Sequence, residues 1–236
     1  MNILITGASR GIGAELAAQL AANGHTVIAA SRNITALRRL ATEITEHTPG
    51  AAIHTLPLDL ADEAAAGGFA DRIRSIVPHL DVLINNAGAL LNKPFAAITP
   101  DELVQIYQVN VFGPFRLIQL MLPLLAAASS PAHIVNISSM GGVQGSAKFP
   151  GLSAYSSSKA ALANLSELLA EELKPQNIRV NCLALGAAQT EMLESAFPGY
   201  KAPLSATEMA AYVGWFAVNG HHYFNGKVLP VALSTP

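Results

Sequence analysis

The sequence predicts a doubly wound parallel α/β sheet with helices on both faces. Three observations predict it. Short apolar runs alternate with amphipathic or Ala- and Leu-rich stretches along almost the whole chain. The first apolar run ends in a glycine-rich loop that opens a helical stretch. No linker, composition break or internal repeat beyond that alternation divides the 236 residues. That length suits one large α/β domain with a well-buried core, so residues 1–236 are expected to form a single domain.

The elements follow in order. Residues 2–6 are a short apolar run ending at a glycine, which fits a buried parallel strand. Residues 14–23 read as a helix stopped by Gly24. Residues 25–31 read as a second strand, 34–46 as an amphipathic helix, 51–58 as a third strand and 61–76 as a third helix. A fourth strand is expected at 80–85. A long helix is expected at 100–125, bent near Gly113-Pro114 or Pro123. Then come a strand at 133–138, a helix at 154–174, a strand at 178–184, a helix at 206–218 and a seventh strand at 227–231.

Composition narrows the function. Hydrophobic residues make up 51% and charged residues 13%, which points to extensive buried surface, subunit contacts included. The net charge is -2 with no basic run, so neither nucleic acid nor an anionic membrane is an expected partner. The opening turns glycine-rich too soon for a secretory leader. The longest apolar run, 117–128, contains Pro123 and is too short to span a bilayer. Cys182 is the only cysteine, which excludes an intrachain disulfide or a thiolate metal cluster. A reduced, cytoplasmic setting is expected, with Cys182 a small buried hydrophobe. His221 and His222 are adjacent rather than four apart, so they are expected at the surface or an interface, with no metal site.

In a doubly wound sheet ligands bind at the carboxyl ends of the strands. The first loop there is Thr6-Gly7-Ala8-Ser9-Arg10-Gly11-Ile12-Gly13. Its glycines allow a tight turn and close approach of a pyrophosphate to a helix N-terminus. After the second strand a carboxylate for the adenosine ribose of NAD is expected, but the chain has no acid between Glu15 and Glu43. Ser31 and Arg32 stand there instead. Arg32 and Arg10 can meet a 2′-phosphate, so NADP is preferred over NAD, with NAD(H) still possible. Asp59, followed by Leu60, either accepts from an adenine amino group or caps the next helix. Asn86, Ala87 and Gly88 follow the fourth strand and suit either a turn or close passage beside a cofactor. Asn110 sits inside a helical stretch, where Asn is mildly unfavourable; it is expected to bend the helix and hold a water. Ser138 and Ser139 follow the fifth strand, where a hydroxyl can bond a substrate carbonyl.

Tyr155 and Lys159 stand four residues apart at the start of a helical stretch. On a helix such positions lie about 40° apart and about 6 Å along the axis. A cation beside a phenol lowers its pKa and makes a proton donor or acceptor that works near neutral pH; taken alone, the spacing favours the alternative, a helix start with an ordinary Tyr and a solvated Lys.

In this order and spacing the chain resembles the classical short-chain dehydrogenase/reductases over nearly its whole length. The matching pieces are the 6–13 loop, Asn85-Asn86-Ala87-Gly88, Val109-Asn110-Val111, Ile134 to Ser139, Tyr155 to Lys159 and Ile178 to Cys182. The resemblance implies a Rossmann-type sheet of about seven strands in the order 3-2-1-4-5-6-7. It implies a catalytic tetrad of Asn110, Ser139, Tyr155 and Lys159, with Ser138 the runner-up to Ser139. Tyr155 would be the acid in reduction and the base in oxidation. Lys159 would lower the Tyr155 pKa and hold the nicotinamide ribose, and Asn110 would hold a water in a proton relay. Gly186 to Thr190 matches the loop over the nicotinamide and pyrophosphate. The implied partners are a small carbonyl or alcohol and further copies of the chain, as a homodimer or homotetramer built through the helices at 100–125 and 154–174.

Three departures from the family pattern stand out. Leu185-Gly186 replaces Pro-Gly, the stretch from Ser139 to Tyr155 is longer, and the C-terminus lacks Asp-Gly-Gly. Residues 186–204 are expected to form a short lid, with Met192, Leu193, Phe197 and Tyr200 either an apolar wall or packing. The leading reading is hydride transfer between NADP(H) and a carbonyl or secondary alcohol. The alternatives are a non-catalytic NADP(H)-binding regulator and an isomerase or dehydratase on the same fold.

Overall fold

The structure, a computed structural model, describes residues 1–62 and 68–233. Its strands are β1 (Asn2–Thr6), β2 (Thr26–Ser31), β3 (Ile53–Pro57), β4 (Val82–Asn85), β5 (Ala132–Ser139), β6 (Ile178–Leu185), the short β7 (Ala188–Gln189) and β8 (Leu204–Ser205), and β9 (Val228–Val231). The main sheet has seven strands in the order β3-β2-β1-β4-β5-β6-β9. Every pairing in it is parallel. This is the predicted doubly wound arrangement, with β9 as its seventh strand. The small β7–β8 pair was not foreseen; two residues a side carry no readable periodicity.

The helices are α1 (Gly11–Ala22), α2 (Ile34–His47), α3 (Phe69–Arg74), α4 (Pro100–Tyr107), α5 (Gly113–Leu125), α6 (Ser153–Glu172), α7 (Glu191–Ala196) and α8 (Ala206–Asn219). Alternate strand residues feed two apolar layers, as the pleat requires. Ile3, Ile5, Val27, Val82, Val135 and Leu183 pack on one face with Leu16 and Leu20 of α1 and Val213 and Phe216 of α8. Leu4, Ile28, Leu83, Ile134 and Val180 pack on the other with Phe69, Leu117, Met121 and Ala170. Strands covered on both faces read as continuous apolar runs, which is why they were visible in the sequence. Part of the helix expected at 61–76 falls on residues 63–67, outside the described residues.

The helix expected at 100–125 is interrupted at Asn110, just before Gly113-Pro114. Residues Gln108–Phe112 form a π-helical segment centred on Asn110, while Pro123 lies inside α5. A π segment adds a residue to the turn and commonly marks a functional position. Buried polar groups fix α6 to the sheet. Asn85 Nδ2 donates to Asn136 Oδ1 at 2.7 Å, and Asn136 Nδ2 donates to Ser166 Oγ of α6 at 2.8 Å. This chain sets the helix that carries Tyr155 and Lys159 against β4 and β5.

His221 corrects an expectation. It is 6% exposed, not at the surface, because its ring packs 5.5 Å from His133 of β5; His222 beside it is exposed. Cys182 is fully buried, and burial pushes its thiol up to about 11. Among the described residues, no helix is long and apolar enough to cross a membrane.

Candidate active site

The loops at the carboxyl ends of the strands surround a cleft of about 1140 Å³. Its floor is the turn from β1 into α1. Gly7 (φ 68°) and Gly11 (φ 56°) adopt left-handed conformations that glycine takes without strain. A Cβ on Gly13 would overlap the Gly7 carbonyl oxygen and stand 2.5 Å from Asn86 Nδ2. The loop is thus a bare-backbone cradle opening a helix, which suits a pyrophosphate. Ser9, Arg10 and Ile12 line the same wall.

Asn86 lines the cleft with Ala87 and Gly88, and its side chain also ties two loops together. Its Nδ2 donates to the Thr6 carbonyl at 2.9 Å and the Gly7 carbonyl at 3.3 Å. In return Thr6 Oγ1 accepts from the Asn86 and Ala87 amides at 3.1 and 3.0 Å. Thr6 and Asn86 therefore clamp the loop after β4 to the glycine turn. Thr6 was not singled out in the sequence; its one signal is a polar residue ending an apolar strand.

One end of the cleft is lined by Ser31, Arg32, Asp59 and Leu60, as the sequence suggested, and also by Arg39 of α2. Arg39 went unnoticed because it reads as the solvated face of an amphipathic helix. Asp59 Oδ1 accepts from the Ala61 amide at 3.0 Å, which supports the capping alternative, and the residue still lines the cleft. Arg10 is not free: its Nη1 lies 3.1 Å from Glu191 Oε2.

Ser139, Tyr155 and Lys159 meet at the other end. Lys159 is 3% exposed, and its ammonium donates to the Ile137 carbonyl at 2.7 Å. Burial lowers its pKa to about 8. Its Nζ lies 5.9 Å from the centre of the Tyr155 ring. Burial raises the pKa of the Tyr155 phenol, and a hydrogen bond with the Ser139 side chain opposes the rise. Desolvation is the larger effect, so the phenol lies above its ordinary pKa and not below it as the lysine spacing suggests. Ser138 lines the cleft too, but it is engaged elsewhere. It is buried, and its hydroxyl donates to the Lys159 carbonyl at 2.8 Å.

Asn110 stands behind the cleft wall rather than on it. It is fully buried, its Oδ1 accepting from the Ala89 amide at 2.8 Å and its Nδ2 donating to the Ala89 carbonyl and Ser158 Oγ. The side chain braces the Gly88-Ala89 turn against α6. A Cβ on Gly88 would lie 3.3 Å from Lys159 Nζ and 3.4 Å from Asn110 Oδ1, so the glycine keeps amine and amide within reach of each other.

Gly186 and Thr190 line the cleft as expected. The Gly186 amide donates to Val231 at 2.9 Å, and a Cβ there would meet Ala232 at 2.7 Å. The C-terminal strand thus steadies the loop at Gly186. Met140, Phe149, Leu152, Leu193, Phe197 and Tyr200 also line the cleft. The long stretch before Tyr155 is folded back by Lys148, whose Nζ donates to the Gly141 carbonyl at 2.9 Å. Asn92 reaches across to the carbonyl of Ala196 at the end of α7, at 2.9 Å.

A doubly wound sheet, a glycine cradle at its first turn and a Tyr–Lys pair beside a serine in the same cleft define a dinucleotide-dependent oxidoreductase. The model of the short chain dehydrogenase family matches residues 1–201. The chain belongs to that family. It is 34% identical to the rhamnolipids biosynthesis 3-oxoacyl-[acyl-carrier-protein] reductase of Pseudomonas aeruginosa, over 97% of this chain and 93% of that one. It superposes on a short chain dehydrogenase of Shigella flexneri complexed with NADP, with a TM-score of 0.89, 34% identity and coverage of 97% and 95%. The RhlG/NADP active-site complex of Pseudomonas aeruginosa gives 0.87 and 31%, over 98% and 94%.

Proposed function

We propose that the protein transfers hydride between NADP(H) and the carbonyl or secondary alcohol of a small molecule, with Tyr155 as the acid and base. The observation that carries this is the placement of Tyr155, Ser139 and a buried Lys159 in one cleft with the glycine cradle. Two solved relatives bind NADP. This chain offers Arg32 and Arg39 and no carboxylate after β2, which suits a 2′-phosphate.

When bound in this cleft, NADPH would supply hydride-transfer chemistry. The protein's own groups handle the oxygen. Burial keeps the Tyr155 phenol protonated, which suits a donor in reduction. As it gives up its proton, the Ser139 hydroxyl and the Lys159 ammonium stabilise the phenolate. Ser139 also orients the carbonyl, and Lys159 holds the nicotinamide ribose. Asn110 keeps the Gly88-Ala89 turn and α6 in register for these contacts. Residues 186–204 form the lid over the site. Exposed Leu103, Val104, Phe112, Phe115 and Leu168 make the helices from 100 to 125 and 153 to 172 the surfaces for a homo-oligomer.

Tyr155→Phe tests the assignment. Turnover of NADPH with a reactive ketone should fall by about 10²–10⁴, while the NADPH Kd stays within threefold. Wild-type turnover in that variant would overturn the role.

A further inference from the structure

Arg10 is expected at the 2′-phosphate, yet in the structure it is held by an acid 181 residues away in sequence. Glu191 is the first residue of α7, the helix of the proposed lid. Thr190 caps that helix, accepting from the Leu193 amide at 3.2 Å, and it packs against the glycine loop: a Cβ on Gly11 would touch Thr190 Cγ2 at 3.4 Å. The ion pair therefore spans the point where lid and cofactor cradle meet.

The charges around the cleft leave this pair distinctive. Its lining cations are Arg10, Arg32, Arg39 and Lys159, and its lining acids are Asp59 and Glu191. Lys159 is buried at the opposite end. Arg39 is shared with Glu43 at 3.5 Å, and Asp59 holds the Ala61 amide. The other acid of α7, Glu194, is occupied within the lid, accepting from the Gly199 amide at 3.0 Å. Both side chains of the Arg10–Glu191 pair are mostly exposed, at 62% and 73%. A pair so solvated is weak and exchanges readily. A phosphate dianion competes for a guanidinium better than a single carboxylate does.

We infer that Glu191 is a specificity determinant for the cofactor: it competes with the 2′-phosphate of NADP(H) for Arg10, and its displacement releases the first turn of the lid helix. The inference rests on the NADP(H) reading above. It has two consequences. Glu191 weakens NADP(H) binding without affecting NAD(H). NADP and NAD, which differ only at that phosphate, leave the lid helix tethered to different degrees.

The test uses the full chain with Glu191→Gln, Arg10→Ala and the double variant. Kd values for NADPH and NADH are measured by fluorescence titration at low salt. Glu191→Gln should tighten NADPH by roughly two- to fivefold, the range of an exposed pair, and leave NADH within error. The gain should vanish in the Arg10→Ala background and shrink at high salt. Hydrogen exchange supplies the second readout. In the wild type the amides of 193–196 should exchange faster with NADP than with NAD, and the difference should disappear in Glu191→Gln. An NADPH Kd unchanged by Glu191→Gln, or a gain that persists without Arg10, overturns the inference. Failure of the wild-type protein to bind NADPH at all would instead sink the cofactor reading beneath it.

Discussion

Replacing Lys159 by methionine should separate stability from activity. Lys159 is 3% exposed, and burial brings its pKa to about 8 from the ordinary 10.5. At neutral pH that gap corresponds to about 3 kcal/mol of destabilisation from holding the charge inside. Against it stands the 2.7 Å bond to the Ile137 carbonyl, about 1.5–3 kcal/mol for a charged donor. Methionine is close in volume and removes both contributions. Lys159→Met should therefore unfold within about 2 kcal/mol of wild type, on either side, while NADPH turnover falls at least 100-fold. The pH dependence provides a signature. Between about 8 and 10.5 the unfolded chain holds at Lys159 a proton that the folded one does not, so wild-type stability should rise with pH from about 8 to 9, above which the Cys182 thiol, protonated in the folded chain up to about 11, opposes the rise. The rise should be missing in the variant. Denaturant midpoints from pH 7 to 10.5 measure it. A variant destabilised by much more than 2 kcal/mol, or one with the same high-pH rise, would show that the amine is not held at the cost argued here.

Two further outcomes follow from the geometry. Gly13→Ala would put a methyl against Asn86 Nδ2, at 2.5 Å, and against the Gly7 carbonyl; it should weaken NADPH binding at least 100-fold with the far-UV spectrum unchanged, and a Kd within threefold of wild type would refute the cradle. Burial, aided by the nearby His221 and His222, lowers the His133 pKa to about 3 from 6.5. Its contribution is complete above pH 6.5 and is lost as pH falls toward 3, about 3 kcal/mol by pH 4; His133→Gln should flatten the loss of stability between pH 6.5 and 4, and an unchanged slope would exclude it.

The serine choice shows what sequence can and cannot reach. Position within the motif favoured Ser139, but the reason is visible only in space: the Ser138 hydroxyl is bonded to the Lys159 carbonyl. Asn110 is similar. Its presence inside a helical stretch signalled something unusual, yet its side-chain partners, Ala89 and Ser158, lie 21 and 48 residues away. His221 was misread because a pair of adjacent histidines gives no sign that one of them packs under β5.

By itself the sequence determined the architecture, the seven strands of the sheet and the spacing of Tyr155 and Lys159. These depend on hydrophobic periodicity, glycine placement and helical geometry, all of which act over a few residues. Tertiary structure alone decided the partners of the polar groups. Thr6 and Asn86 clamp two loops, the C-terminal strand steadies Gly186, and Arg10 is held by Glu191. Each of those bonds joins segments far apart in the chain. A hydrogen-bonding side chain specifies that it needs a partner, and only the packed fold settles which one stands within reach.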